Sequence, residues 1–362
     1  MNKDKIYISY GNRAHEMTID LLTAANIAAE IPQGASIGLK PNLVVADKPE
    51  LGATTHTGIV TGIIEYLQGH GFKDIAIMEG AWVGDSTARG YSVCGYHEIE
   101  KKYGVKLYDL KKDATRTVST PVGSMKICCR PLDVDYLISL PVLKGHCQTR
   151  MTCCLKNSKG CIPDSEKRRF HTLGLHRPIA ALAAALKPDL FIVDSICGDL
   201  NFEEGGTPVQ TNRMLLGHDP VKIDTYGCRL MGIDPEEVDY IGLAEDWGVG
   251  SGYIDEGDII AINDPKSAPA YPAPSGIVSR LTRSVKQASA CSACYGNLVH
   301  ALYRLQDDYG RQVKTPVHIG QGNAGKKLEG IGIGRCCSGA DVCVQGCPPD
   351  AESILRVLLE NT

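Results

Sequence analysis

The sequence predicts an α/β fold, a layered and mostly parallel sheet domain followed by a small C-terminal α/β module. Three observations carry that expectation. Short, almost unbroken apolar runs, as in parallel strands buried on both faces, alternate with segments of helical periodicity. Pro and Gly accumulate in one stretch, Asp264 to Gly276, as in a linker. Beyond it, six cysteines stand among glycines and turn-forming residues between positions 291 and 347.

Taken in order, Ile6 to Tyr10, Ser36 to Lys40, Ile75 to Glu79, Val105 to Leu110, Tyr136 to Leu140 and Leu190 to Asp194 read as strands. Between and after them, helices are expected at about 15–30, 58–70, 94–103, 178–186, 220–231 and 235–246. This alternation makes residues 1–263 an α/β domain. Residues 264–276 are the linker, and 277–362 a smaller module with a helix after Cys294, a strand at Pro316 to Gly320, the cysteine loops and a final helix. Pro348 and Pro349 suit the first turn of that helix, where a missing N–H costs little, and Ile354, Leu355, Leu358 and Leu359 would form its apolar face.

Composition narrows the class. A formal net charge of −4 with both signs dispersed gives no basic tract for nucleic acid, and no apolar stretch is long enough to span a bilayer. The N-terminal MNKDKIYISY enters a strand pattern without the apolar core of a signal peptide. Fifteen cysteines in such a chain favour a reducing, anaerobic and cytoplasmic setting over a disulfide scaffold.

The cysteines carry the most specific chemistry. Cys291-Ser-Ala-Cys294 offers two thiolates from one turn, while Gly334-Arg-Cys336-Cys337 and Gly346-Cys347-Pro348-Pro349 offer others from separate loops. Soft sulfur donors on loops that glycine lets close are what an iron–sulfur core requires. Zinc is the rival metal, although the second CxxC knuckle of a zinc ribbon is absent, and buried apolar cysteines or disulfides are the plain alternative. Cys337 and Cys343 remain as spare thiols. Cys147, Cys153, Cys154 and Cys161 are a possible second metal site.

Polar groups gather where strands are expected to end. Lys40, Asn42, Thr55 and His56 are candidates for substrate or anion binding, since the helix following them has free N–H groups at its start, although capping by Thr57 explains the threonines as well. Lys144, His146, Lys156, Asn157 and His171 are the candidate catalytic residues, following a buried strand where open α/β sheets place their chemistry; solvated lysines and a core histidine are the alternative. Gly320-Gln-Gly322-Asn-Ala-Gly325 satisfies a dinucleotide pattern, but the glycines that continue to Gly334 leave no room for a crossover helix.

Two families share parts of this pattern. KPN at 40–42, PVLKGH at 141–146, LKNSKG at 155–160, KPDLFIVDSI at 187–196 and DPVKID at 219–224 resemble, in order, the domain of unknown function 362 family over about residues 40–250. The resemblance implies an α/β domain often accompanied by iron–sulfur motifs, but no defined activity. Lys222 and Ile223 depart from that family's usual pattern. The segment from Gly334 to Leu355 resembles the cluster loop of complex I and nickel–iron hydrogenase small subunits, which implies four-iron four-sulfur ligands at Cys336 and Cys347. That family's adjacent cysteine pair is absent, and Cys291 with Cys294 would have to replace it. A looser similarity of architecture to nickel-dependent lactate racemases carries no residue over.

The sequence thus points to a 4Fe-4S protein, a redox enzyme or electron-transfer component acting on a small molecule bound in the α/β domain, with a redox partner protein. A non-redox lyase, racemase or desulfidase is one alternative. A metallocluster carrier or assembly factor is the other.

Overall fold

In the computed structural model, residues 4–272 and 276–362 are described, so residues 273–275 of the expected linker lie outside them. The described residues divide into two compact units, 4–166 with 176–272 and 167–175 with 276–362.

The first unit is built on an eight-stranded sheet in the order Ile259–Ala261, Ile6–Tyr10, Pro208–Gly217, Leu190–Asp199, Tyr136–Leu140, Ile37–Pro41, Ile75–Glu79 and Lys106–Asp109. Pro208–Gly217 is antiparallel to both neighbours, and every other pairing is parallel. Three central strands, Ile37–Pro41, Tyr136–Leu140 and Leu190–Asp199, are buried at every position, which is why their sequences read as continuous rather than alternating apolar runs. Helices Ala14–Ala24 and Thr57–Gly69 pack together over this sheet. Gly58 and Gly62 permit the approach, because a Cβ at Gly62 would stand 2.8 Å from the carbonyl oxygen of His15 and one at Gly58 2.9 Å from the Cβ of Ala14. Met17, Leu21, Leu22, Ile59, Val60, Ile63, Ile64 and Leu67 fill the space between the helices and the sheet.

Several expected boundaries shift. The helix expected over 15–30 ends at Ala24, where Asn26 turns left-handed (φ 52°) and a 3-10 turn, Ile27–Ala29, follows. The segment expected as a helix over 235–246 splits into the turn Pro235–Glu237 and helix Asp239–Asp246. Two hairpins went unexpected, Thr115–Thr120 with Gly123–Cys128 and Lys144–His146 with Arg150–Thr152. Part of the Pro-rich stretch is tied to the first unit: Arg213 donates to the Pro269 carbonyl at 2.8 Å, and the Tyr271 hydroxyl lies 3.3 Å from that of Ser195.

The second unit carries a four-stranded parallel sheet, ordered Val285–Gln287, Val317–Ile319, Leu328–Ile333 and Ala340–Val344. Helices Ser292–Asp307 and Ala351–Glu360 pack against each other, and Leu298 and Leu302 of the first and Ile354 and Leu358 of the second are buried. The final helix begins later than the prolines suggest. Asp350 caps it by accepting from the Ser353 N–H at 2.7 Å, so Pro348 and Pro349 precede the helix and Cys347 is not at its N-terminus. The glycine-rich pattern from Gly320 passes through the turn Gln321–Asn323 into strand Leu328–Ile333, with no crossover helix. Among the described residues no helix is long and apolar enough to cross a membrane.

Candidate functional site

The strand ends of the first unit hold a set of buried charges. Lys40, at the end of Ile37–Pro41, is 1 % exposed; it meets the Glu79 carboxylate at 2.5 Å and donates to Asn157 Oδ1 at 3.1 Å and to its neighbour's carbonyl, Pro41 O, at 3.0 Å. Asn157 in turn donates to Ser139 Oγ at 2.9 Å. Gly160 leaves space for this pair, since a Cβ there would sit 2.2 Å from Glu79 Oε1 and 2.7 Å from Lys40 Nζ. The glycine of the LKNSKG motif is therefore explained by the ion pair it adjoins.

Beside it lies a second charged group. Lys144 is fully buried and donates to the Ala53 carbonyl at 2.5 Å and to Asn42 Oδ1 at 3.4 Å. Burial, together with repulsion from Lys156, pulls its pKa down to about 8, against the attraction of Glu203. His146 Nδ1 accepts from the N–H groups of Gln148 and Thr149 at 3.0 and 3.1 Å, which assigns the proton to Nε2, and Nε2 donates to Glu203 at 3.0 Å. Lys156 donates to the other oxygen of the same carboxylate. Burial opposes charge on Glu203, but Lys156 and His146 outweigh it and hold the carboxyl well below its ordinary range. The strand bearing these residues needs small neighbours: a Cβ at Gly145 would stand 2.4 Å from the Leu200 carbonyl.

A pH response follows from His146, whose pKa burial and the nearby Lys156 depress from 6.5 to about 4. Between those values the unfolded chain binds a proton that the folded chain refuses, so this histidine's contribution to stability falls as pH drops from 6.5 toward 4. His146→Asn should flatten the dependence of denaturation midpoint on pH in that window. An unchanged slope would mean that His146 is not the group titrating.

The expected anion site at the helix start is already filled. His56, not Thr57, is the residue before helix Thr57–Gly69, and both its backbone N–H and its Nδ1 lie 2.8 Å from the buried Asp194 carboxylate. Burial works against a charged His56, but Asp194 prevails and its pKa rises. Thr55 bridges strand ends instead, donating to the Leu140 carbonyl and accepting from the Asn42 N–H, both at 2.8 Å. Lys144, His146 and Lys156 thus gather around Glu203, Lys40 and Asn157 around Glu79, and Asn42 joins the Lys144 side. His171 falls in the second unit, where its Nε2 accepts from the Ser292 N–H at 3.4 Å.

That contact sets His171 beside the cysteine loops. None of the fifteen cysteines is joined in a disulfide. Cys291 precedes helix Ser292–Asp307, Cys294 lies in its first turn, Cys336 lies in the turn Arg335–Cys337, and Cys347 is exposed. They converge on Cys294, whose thiol is pushed up to about 12 by burial and by the nearness of Cys291, Cys347, Cys336 and Cys337. A Cβ at Gly334 would lie 3.4 Å from Cys294 Sγ, and the Arg335 N–H donates to the Gly346 carbonyl at 2.9 Å, which joins the Cys336 and Cys347 loops. Gln321 donates both to Cys291 Sγ at 3.4 Å and to the Arg168 carbonyl at 3.0 Å. Of the spare thiols, Cys337 is buried and accepts from Asn323 at 3.6 Å, while Cys343 Sγ is 3.7 Å from the Gly334 carbonyl. Cys94 is a packed thiol, bonded to the Asp47 carbonyl at 3.1 Å.

Sequence reasoning missed the carboxylates. Glu79 and Asp194 carried a signal, an acid following an apolar run in a buried strand (IAIM before Glu79, LFIV before Asp194), whereas Glu203 lies in the loop after Leu190–Asp199 and carried none.

The chain is 25 % identical over 231 residues, 60 % of its own length and 70 % of the relative's, to the thylakoid-associated protein sll1697 of Synechocystis sp.. Its fold has some likeness to the lactate racemase apoprotein of Thermoanaerobacterium thermosaccharolyticum, with a TM-score of 0.39 and 12 % identity over 64 % of this chain and 58 % of that one. Residues 37–229, which hold the buried charges around Glu79 and Glu203, match the family described as domain of unknown function (DUF362), and the chain belongs to that family.

Proposed function

We propose that the chain is an iron–sulfur protein in which Cys291, Cys294, Cys336 and Cys347 hold one 4Fe-4S cluster, and that it serves as a redox enzyme or electron-transfer component. The observation that carries this reading is that the Cys336 and Cys347 loops, joined by the Arg335 N–H to Gly346 carbonyl bond, meet the first turn of helix Ser292–Asp307 at Cys294. Four thiolates so placed repel one another, and a cationic iron–sulfur core offsets that repulsion. The four sulfurs of such a cluster bind different iron atoms, so they need not crowd together as the ligands of a single ion do. With four cysteine ligands the cluster supplies electron transfer only. Binding of a small molecule falls to this chain's own residues: Lys144, with its lowered pKa, is suited to take or give a proton, Lys40 and Lys156 supply cationic charge, and the neutral His146 holds Glu203 in place. His171, bonded to Ser292, fits the orientation of the Cys291 loop better than substrate chemistry. A small-molecule substrate, a redox partner protein and a cytoplasmic location complete the proposal.

Iron and acid-labile sulfide in anaerobically prepared protein test it. About four of each per chain are expected, with loss of visible absorbance on reduction. Cys347→Ser should lose the cluster while Cys94→Ser keeps it. Stoichiometric zinc in the C-terminal loops without sulfide, or equal loss in both variants, would overturn the assignment.

A further inference from the structure

A different group of ligands lies within the first unit. The Sγ atoms of Cys153 and Cys154 and a carboxylate oxygen of Asp224 all lie within 4.8 Å of one another, and all three residues are fully buried. Cys153 and Cys154 stand where strand Arg150–Thr152 gives way to the short helix Cys154–Asn157, and Asp224 projects from helix Pro220–Leu230. Sequence spacing suggested Cys147 and Cys161 as partners for this pair; instead the third ligand comes from the last residue of the DPVKID motif.

We propose that Cys153, Cys154 and Asp224 form a binding site for a single divalent ion of the zinc class. The distances fit one ion. Two thiolates about 2.3 Å from a tetrahedral zinc stand about 3.8 Å apart, and the two Sγ atoms are 3.8 Å apart here. Two soft sulfurs and one carboxylate favour zinc or ferrous iron over magnesium or calcium. The carboxylate is held in place, since Asp224 Oδ1 accepts from the Cys154 N–H at 2.7 Å and Oδ2 from the Leu155 N–H at 3.2 Å. Oriented ligands of this kind are what metal affinity depends on. One helical turn on, Cys228 adds a buried thiol, 2.9 Å from the Met151 thioether.

A fully buried site also needs access. A cavity of about 150 Å³ is lined by Cys154 and Leu155, with Lys187, His218 and Pro220 around it. Of the three ligands Cys154 borders it, which makes it the nearest opening by which an ion would enter. Binding changes no oxidation state: the thiol protons of Cys153 and Cys154, and that of Asp224 where its buried carboxyl is protonated, leave to solvent as the ion enters.

The test uses the full chain, purified anaerobically under a reductant that does not bind metal, supplied with zinc and desalted. Wild type should retain one equivalent of zinc that Asp224→Asn and Cys153→Ser each lose. Cys347→Ser should keep that equivalent, so the result does not depend on what the C-terminal loops hold. Zinc-edge X-ray absorption of the Cys347→Ser protein should show sulfur and lighter ligands together. Because Asp224→Asn conserves volume and an acceptor for the Cys154 N–H, a chelator should lower the melting temperature of wild type and leave that variant unmoved. Equal zinc in wild type and both variants, or a wild-type chain whose melting ignores both zinc and chelator, would overturn the proposal.

Discussion

Glu203→Ala should destabilise the first unit by about 3–5 kcal/mol, the cost of removing one partner from a buried ion pair. In the native chain this carboxylate receives Lys156 on one oxygen and His146 on the other, and it partly offsets the burial of Lys144. Its removal leaves an ammonium almost wholly out of water beside a second one, with the His146 N–H also lacking its acceptor. Two responses are open, loss of a lysine proton or local opening of the 200–206 loop, and each is costly. Both tryptophans, Trp82 and Trp247, belong to the first unit, so fluorescence-monitored denaturation isolates the effect from the cysteine module. Glu203→Gln should cost less, because the amide oxygen still accepts one hydrogen bond. A loss below about 1 kcal/mol for Glu203→Ala, as for an exposed ion pair, would show that the carboxylate is not the hub of this group.

What the sequence revealed follows the reach of each signal. Ile6–Tyr10, Ile75–Glu79 and Tyr136–Leu140 were legible to the residue, because a strand buried in a parallel sheet is a local apolar run between breakers. Pro208–Gly217 was not, since its first half, PVQTN, is polar and partly exposed while its second half, RMLLG, turns inward. The membership of residues 167–175 in the second unit also escaped notice. It depends on pairings such as Gln321 with Arg168 and Ser292 with His171, more than a hundred residues apart, which no local pattern records. The lysines and histidines of the site could be named from their place after a strand, but their partners could not. A buried cation requires a carboxylate without specifying where along the chain it comes from. Glu203 and Asp194 are the answers that this fold supplies, and Asp194 takes the helix-start position where an external anion had been expected.

Lys40 and Glu79 allow a test of whether buried charge is kept here for stability or for chemistry. Lys40→Met alone should cost about 3–5 kcal/mol, because it leaves the Glu79 carboxylate, 3 % exposed, without its cationic partner. Glu79→Leu alone should cost a similar amount by stranding the Lys40 ammonium. The double variant should recover most of that loss, since replacing both members of a buried pair by apolar groups of similar volume is often neutral or stabilising. The coupling in this cycle should therefore be large and favourable to the double variant, well beyond the roughly 0.5 kcal/mol scatter of independent sites. Simple addition of the two single losses would sink the argument, as would a double variant no more stable than either single one. A recovered double variant then separates two roles. Its fold is intact but its strand ends carry no charge from this pair, so loss of small-molecule binding, measured by calorimetry against the wild type, would assign Lys40 and Glu79 to the site rather than to the core.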